Sequence, residues 1–103
     1  MTAWASDYIS KLKKGETVQF RPFGRSMEGK ISSGQLCTVE PIVDKNKLKT
    51  GDIVLCTVKS NQYLHLIKDI SKNGKFLIGN NKGYNNGWID RCYIWGICIK
   101  IEE

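Results

Sequence analysis

A chain of 103 residues is long enough for one domain with a modest core, and 41% hydrophobic with 25% charged residues is ordinary for a globular protein and argues against disorder. No run approaches the ~18 apolar residues a bilayer-crossing helix needs, and the N-terminus lacks the basic-then-apolar pattern of a secretory signal, so a cytoplasmic protein without a membrane span is expected. The net charge of +6 raises nucleic acid as a partner, but the lysines are scattered and arginine occurs only at Arg21, Arg25 and Arg91, which argues against a phosphate-reading surface.

The chain reads as a single domain over 1–103, with a leading helix in 1–15 and a β core over 17–103. Trp4 or Ala5, then Tyr8, Ile9 and Leu12, recur at helical spacing. Lys11, Lys13 and Lys14 complement the helix C-terminus and Gly15 stops it, so a short amphipathic helix is expected over 4–14. Beyond Gly15 come short runs rich in Val, Ile, Leu, Thr and Tyr. They predict strands at 17–23, 36–42, 52–58, 63–70, 75–78 and 93–101, with a weaker one at 88–91. Turns are expected at 32–34, 49–51, 60–62 and 71–74, where Asn73-Gly74 is a strong hairpin signal. The runs at 53–58 and 63–67 are apolar on both faces, which points to a mainly β fold: an antiparallel, barrel-like or folded-over sheet with one N-terminal amphipathic helix. The segment 80–87, Asn-Asn-Lys-Gly-Tyr-Asn-Asn-Gly, reads as a loop, either a plain connection or a small lid.

Four cysteines, Cys37, Cys56, Cys92 and Cys98, include no Cys-x-x-Cys pair and no neighbouring histidine, so no metal site is expected. They fall in apolar, strand-like runs and read as reduced, buried thiols. No cofactor is implied.

Two stretches carry chemistry. In Phe20-Arg-Pro-Phe-Gly-Arg-Ser-Met-Glu-Gly-Lys-Ile31, Pro22 biases Arg21 toward extended geometry and Gly24 permits an abrupt turn before Ser26. The hydroxyl would then project from a rigid frame, with the N–H groups of Arg25 and Ser26 free for a developing oxyanion. The only histidine, His65, lies in Tyr63-Leu64-His65-Leu66-Ile67, where alternation sets Tyr63, His65 and Ile67 on one face and Leu64 and Leu66 on the other. Neither face is plainly solvated, so His65 is either a satisfied core residue or the desolvated base a serine nucleophile requires.

The segment Gly24-Arg25-Ser26-Met27-Glu28-Gly29-Lys30-Ile31 resembles the Ser-Met box of type I signal peptidases and LexA-type self-cleaving repressors, serine peptidases of the S24/S26 type. Leu48-Lys49-Thr50-Gly51-Asp52-Ile53-Val54 is similar to their Gly-Asp-Ile-Val strand entry, where the aspartate is mainly structural. Tyr63-Leu64-His65-Leu66-Ile67 lies where bacterial signal peptidases and LexA-type proteins supply a general-base lysine; histidine stands there in the signal peptidases of archaea and the endoplasmic reticulum. Phe76-Leu77-Ile78-Gly79-Asn80-Asn81 resembles a Gly-Asp-Asn box, and Ile94-Trp95-Gly96-Ile97-Cys98 the closing strand.

The resemblance implies a serine endopeptidase with Ser26 as nucleophile, His65 as base, the Arg25 and Ser26 N–H groups as oxyanion hole, and Gly24, Met27 and Tyr63 beside an extended peptide or protein substrate. It departs from the pattern at Gly29, where many signal peptidases have proline, and at Asn80, which replaces the aspartate. Asp90 is then the remaining candidate to orient His65, giving either a Ser-His dyad or a Ser-His-Asp triad. No membrane anchor, DNA-binding domain or self-cleavage site accompanies these boxes, so the sequence reads as a bare catalytic core. Two alternatives stay open: an inactive peptidase fold that binds peptides, and a small basic β-barrel that binds nucleic acid.

Overall fold

The computed structural model describes residues 4–103; residues 1–3 of the expected leading segment lie outside it. The helix forms as α1 (Ser6–Lys13), with Ile9 and Leu12 buried and Lys11 and Lys13 in its last turn. Gly15, at φ +86°, ends it and donates its N–H to Leu12 O at 3.0 Å. Ala5, rather than Trp4, takes the buried position at the helix start: Ala5 is inaccessible and Trp4 46% exposed.

Seven strands follow: β1 (Val18–Phe20), β2 (Leu36–Pro41), β3 (Ile53–Val58), β4 (Asn61–Ile70), β5 (Phe76–Gly79), β6 (Asn85–Ile89) and β7 (Ile94–Glu102). All pairings are antiparallel, in the order β1-β2-β7-β3-β4-β5-β6, so the last strand enters the middle of the sheet. The sheet is not closed, and β1 and β6 are its two ends. It is folded over instead: β6 contacts β3 although two strands stand between them. Irregularities in register at Thr38/Val39, Leu55/Cys56, Ile67/Asp69 and Ile78/Gly79 supply the bends.

Folding over explains the doubly apolar runs. On β3, Leu55 joins Leu64 and Leu66 of β4 in a core beneath α1, with Ile9, Leu12 and Phe20. Val54, Cys56 and Val58 face the opposite way, into a second core with Ile67, Phe76, Ile78 and Ile89. The helix seats closely on the sheet because β7 has Gly96 there: a Cβ would lie 2.7 Å from Val39 and 3.0 Å from Leu12. Lys13 sits over the Trp95 ring at 4.6 Å, and the Trp95 indole donates to Thr57 Oγ1 at 2.9 Å.

Several boundaries differ from expectation. β1 stops at Phe20 because Pro22 offers no N–H to extend a ladder. The expected 60–62 turn is tighter, formed by Lys59 and Ser60 at φ +50° and +72°, a left-handed pair without the usual glycine or asparagine. The segment read as a loop at 80–87 contains the start of β6. All four cysteines are free, but only Cys37 and Cys56 are buried; Cys98 is half-buried, and Cys92 is exposed because it falls on the 3-10 turn Arg91–Tyr93 rather than in a strand. Among the described residues no helix is long and apolar enough to cross a membrane.

Candidate active site

Ser26 lies on the irregular connection between β1 and β2. The base of that connection is tied across by Gly34 N–H to Pro22 O (2.8 Å) and Gly24 N–H to Ser33 Oγ (2.9 Å). Gly24 turns the chain at φ +125°, after which Ile31 N–H closes on Met27 O at 2.8 Å. Met27 and Ile31 are 5% and 4% exposed, so this turn is anchored in the core beneath α1.

A second set of contacts comes from Asn81, just after β5. Its N–H donates to Ser26 O at 3.0 Å and its Nδ2 to Glu28 O at 2.7 Å, clamping the chain on both sides of Met27. Gly29 permits the clamp: it sits at φ +96°, and a Cβ would meet Asn81 Nδ2 at 2.8 Å. Glu28 also bonds Lys82 and Arg25, at 2.9 and 3.0 Å, and these partners hold its carboxyl below the ordinary carboxylate range. Asn80 spends its side-chain oxygen on the N–H groups of Lys82 and Tyr84, a local turn contact.

His65 reaches the same place from the sheet. It lies on β4 opposite Val54 of β3, is 8% exposed, and has Tyr63 stacked on its ring at 4.9 Å and 29°. Its Nε2 is 3.2 Å from Ser26 Oγ and its Nδ1 is 2.7 Å from Asn86 Oδ1. Burial pushes the imidazole pKa below its usual 6.5, and the bond to Asn86 opposes that shift. The ring is therefore neutral near pH 7, as a proton acceptor for serine must be.

The dyad opens onto a cleft of about 440 Å³, walled by Phe20, Phe23 and Leu64 and bordered by the expected Gly24, Met27 and Tyr63. Among the described residues, the backbone N–H groups of Arg25 and Ser26 take no hydrogen-bond acceptor. Arg25 turns its side chain to Glu28 and is not part of the cleft wall. Asp52 acts structurally, as expected: its carboxylate accepts the Lys49 N–H at 2.9 Å and pairs with the Lys49 ammonium.

The expectation for Asp90 is corrected. It lies beyond β6, 57% exposed, with its carboxylate on Lys75 Nζ at 2.6 Å, while the imidazole Nδ1 is taken by Asn86. Sequence reasoning missed Asn86, whose Asn- and Gly-rich surroundings carry only a turn signal, and gave Asn81, the last residue of the stretch that resembles a Gly-Asp-Asn box, no role of its own.

Comparisons with known proteins add a family. The chain is 36% identical over 66 residues to Signal peptidase I W of Bacillus subtilis (strain 168), covering 63% of this chain and 35% of that protein. It thus spans about a third of the relative's length. Residues 2–99, nearly the whole sequence, match the family described as Peptidase S24-like. By that match the chain belongs to the Peptidase S24-like family.

Proposed function

We propose that this protein hydrolyses peptide bonds, with Ser26 as nucleophile and His65 as general base. The observation that carries the reading is the 3.2 Å approach of Ser26 Oγ to His65 Nε2, two groups 39 residues apart in sequence. Nε2 accepts the hydroxyl proton as Oγ bonds to the substrate carbonyl carbon, and the oxyanion that forms faces the N–H groups of Arg25 and Ser26. The C–N bond then breaks, Nε2–H protonates the leaving amine, and water, deprotonated by the same nitrogen, cleaves the ester to release the acid and restore Ser26. An extended peptide would lie in the cleft that Tyr63 and Met27 line.

The test is turnover of an unstructured polypeptide by the purified protein, with Ser26→Ala and His65→Ala as controls. Cleavage that disappears in both variants supports the proposal; cleavage that persists in either contradicts it.

A second reading, a binding module without turnover, is favoured by one observation: among the described residues no carboxylate bonds the imidazole. Peptide binding that is equal in the wild type and Ser26→Ala, with no product in either, would establish it.

A further inference from the structure

In the β5–β6 ladder Gly79 pairs with Asn85 and Ile78 with Gly87, so Asn86 is the extra residue of a bulge with no partner across the sheet. A bulge redirects the side chain it carries, and here it brings an amide oxygen to 2.7 Å from a ring nitrogen on β4. An amide oxygen can only accept a hydrogen bond. The proton of the neutral ring must then be on Nδ1, which leaves the Nε2 lone pair toward Ser26 Oγ.

We propose that Asn86 is the positioning residue of His65: a neutral acceptor that fixes the imidazole tautomer and orientation in the place where a triad would put a carboxylate. This rests on the peptidase reading of the same site. An asparagine in that place is damaging when it selects the wrong tautomer. With its oxygen on Nδ1, Asn86 selects the right one and withholds only the negative charge that would stabilise the imidazolium. The result is a base that stays neutral further into acid than one facing aspartate.

The carboxylates on the elements around the ring are already engaged. Glu28, on the serine turn, is held by Arg25 and Lys82, and Asp90, after β6, by Lys75. On β4 itself, Lys68 donates to Asn80 O, and the Asp69 carboxylate accepts the Ile70 N–H. Tyr63 stacks on the ring and its hydroxyl bonds Asn61.

Because His65 is the only histidine, its ring nitrogens can be followed without overlap by nitrogen NMR of the whole protein. The wild type should show Nδ1 protonated and Nε2 bare at neutral pH. In Asn86→Asp the imidazole pKa should rise by about one unit or more, the usual effect of an adjacent opposite charge, and the acid limb of kcat/KM should move with it. In Asn86→Ala the two tautomers should mix and kcat should fall at least about tenfold with KM little changed, because Asn86 is not part of the cleft wall.

A wild-type proton on Nε2 overturns the proposal, as does an Asn86→Ala ring spectrum identical to wild type. The two near-isosteric side chains of Asn and Asp keep the comparison informative if the alanine variant does not fold. A correct tautomer and a shifted pKa without any hydrolysis would sink the peptidase reading and leave the positioning role standing.

Discussion

His65 is carried by a ten-residue strand laddered on both sides, to β3 through Val54 and to β5 through the adjacent Leu66 and Ile67. Ser26 sits on an irregular turn held by a few hydrogen bonds, accepted by Pro22 O and Ser33 Oγ and donated by Asn81, and by two apolar anchors, Met27 and Ile31. The base is therefore placed by the sheet as a whole, and the nucleophile by contacts that can be removed one at a time. Local stability differs accordingly: a laddered strand opens only with much of the fold, whereas a turn can loosen alone.

The largest expected effect ignores that difference. Ser26→Ala or His65→Ala should each lower kcat by about 10³-fold or more, since either removes the reacting pair as a unit. The melting temperature of Ser26→Ala should barely move.

Damage to the supports should separate the two regions. Leu55→Ala or Ile78→Ala, both at wholly buried positions, should cost about 2–5 kcal/mol in denaturant unfolding, with activity lost only as the protein unfolds. Asn81→Ala removes a donor from Glu28 O, a local cost of about 1–3 kcal/mol. That variant should keep most of its global stability yet lose roughly 10–100-fold in kcat, since displacing a reacting group by an ångström costs about that much. Faster amide exchange confined to the serine turn would sharpen the comparison; uniform destabilisation would break it.

Acid should act on the strand side. His65 has a lowered pKa in the folded state, so the unfolded chain binds more protons between that value and about 6.5. Stability from this group is complete above pH 6.5 and declines as pH falls through the folded-state value, and the acid limb of activity should lie below 6.5. In His65→Gln that part of the stability profile should flatten, as measured by urea unfolding at a series of pH values.

The smallest effect concerns the thiols. Burial pushes Cys37 and Cys56 up to about 12, so alkylation at neutral pH should modify the exposed Cys92 first and leave activity unchanged.

The same contrast explains what could be read from the chain. His65 is legible as part of a strand with both faces covered, because Leu64, Leu66 and Ile67 declare their burial through alternation. The turn at Ser26 was legible from Gly24 and Pro22, two residues with strong backbone preferences. The groups that complete the site were not. Asn86 acts from a bulge, and a one-residue slip between β5 and β6 leaves no periodic trace in the sequence. Asn81 meets Glu28 across 53 residues through a geometry that only the folded sheet creates. Barrel-like and folded-over sheets read alike in the sequence for a similar reason: doubly apolar strands require cover on both faces, and a sheet bent over itself with a helix against it supplies it as well as a barrel does.

The most direct test of a His65-activated Ser26 is mass-spectrometric mapping of a serine-directed acylating probe on the intact protein at pH 7 and at a pH below the imidazole transition. The account predicts one adduct, on Ser26, that is absent in His65→Ala and diminished in acid. Labelling of Ser26 at an equal rate in His65→Ala, or no labelling of Ser26 at either pH, would contradict it.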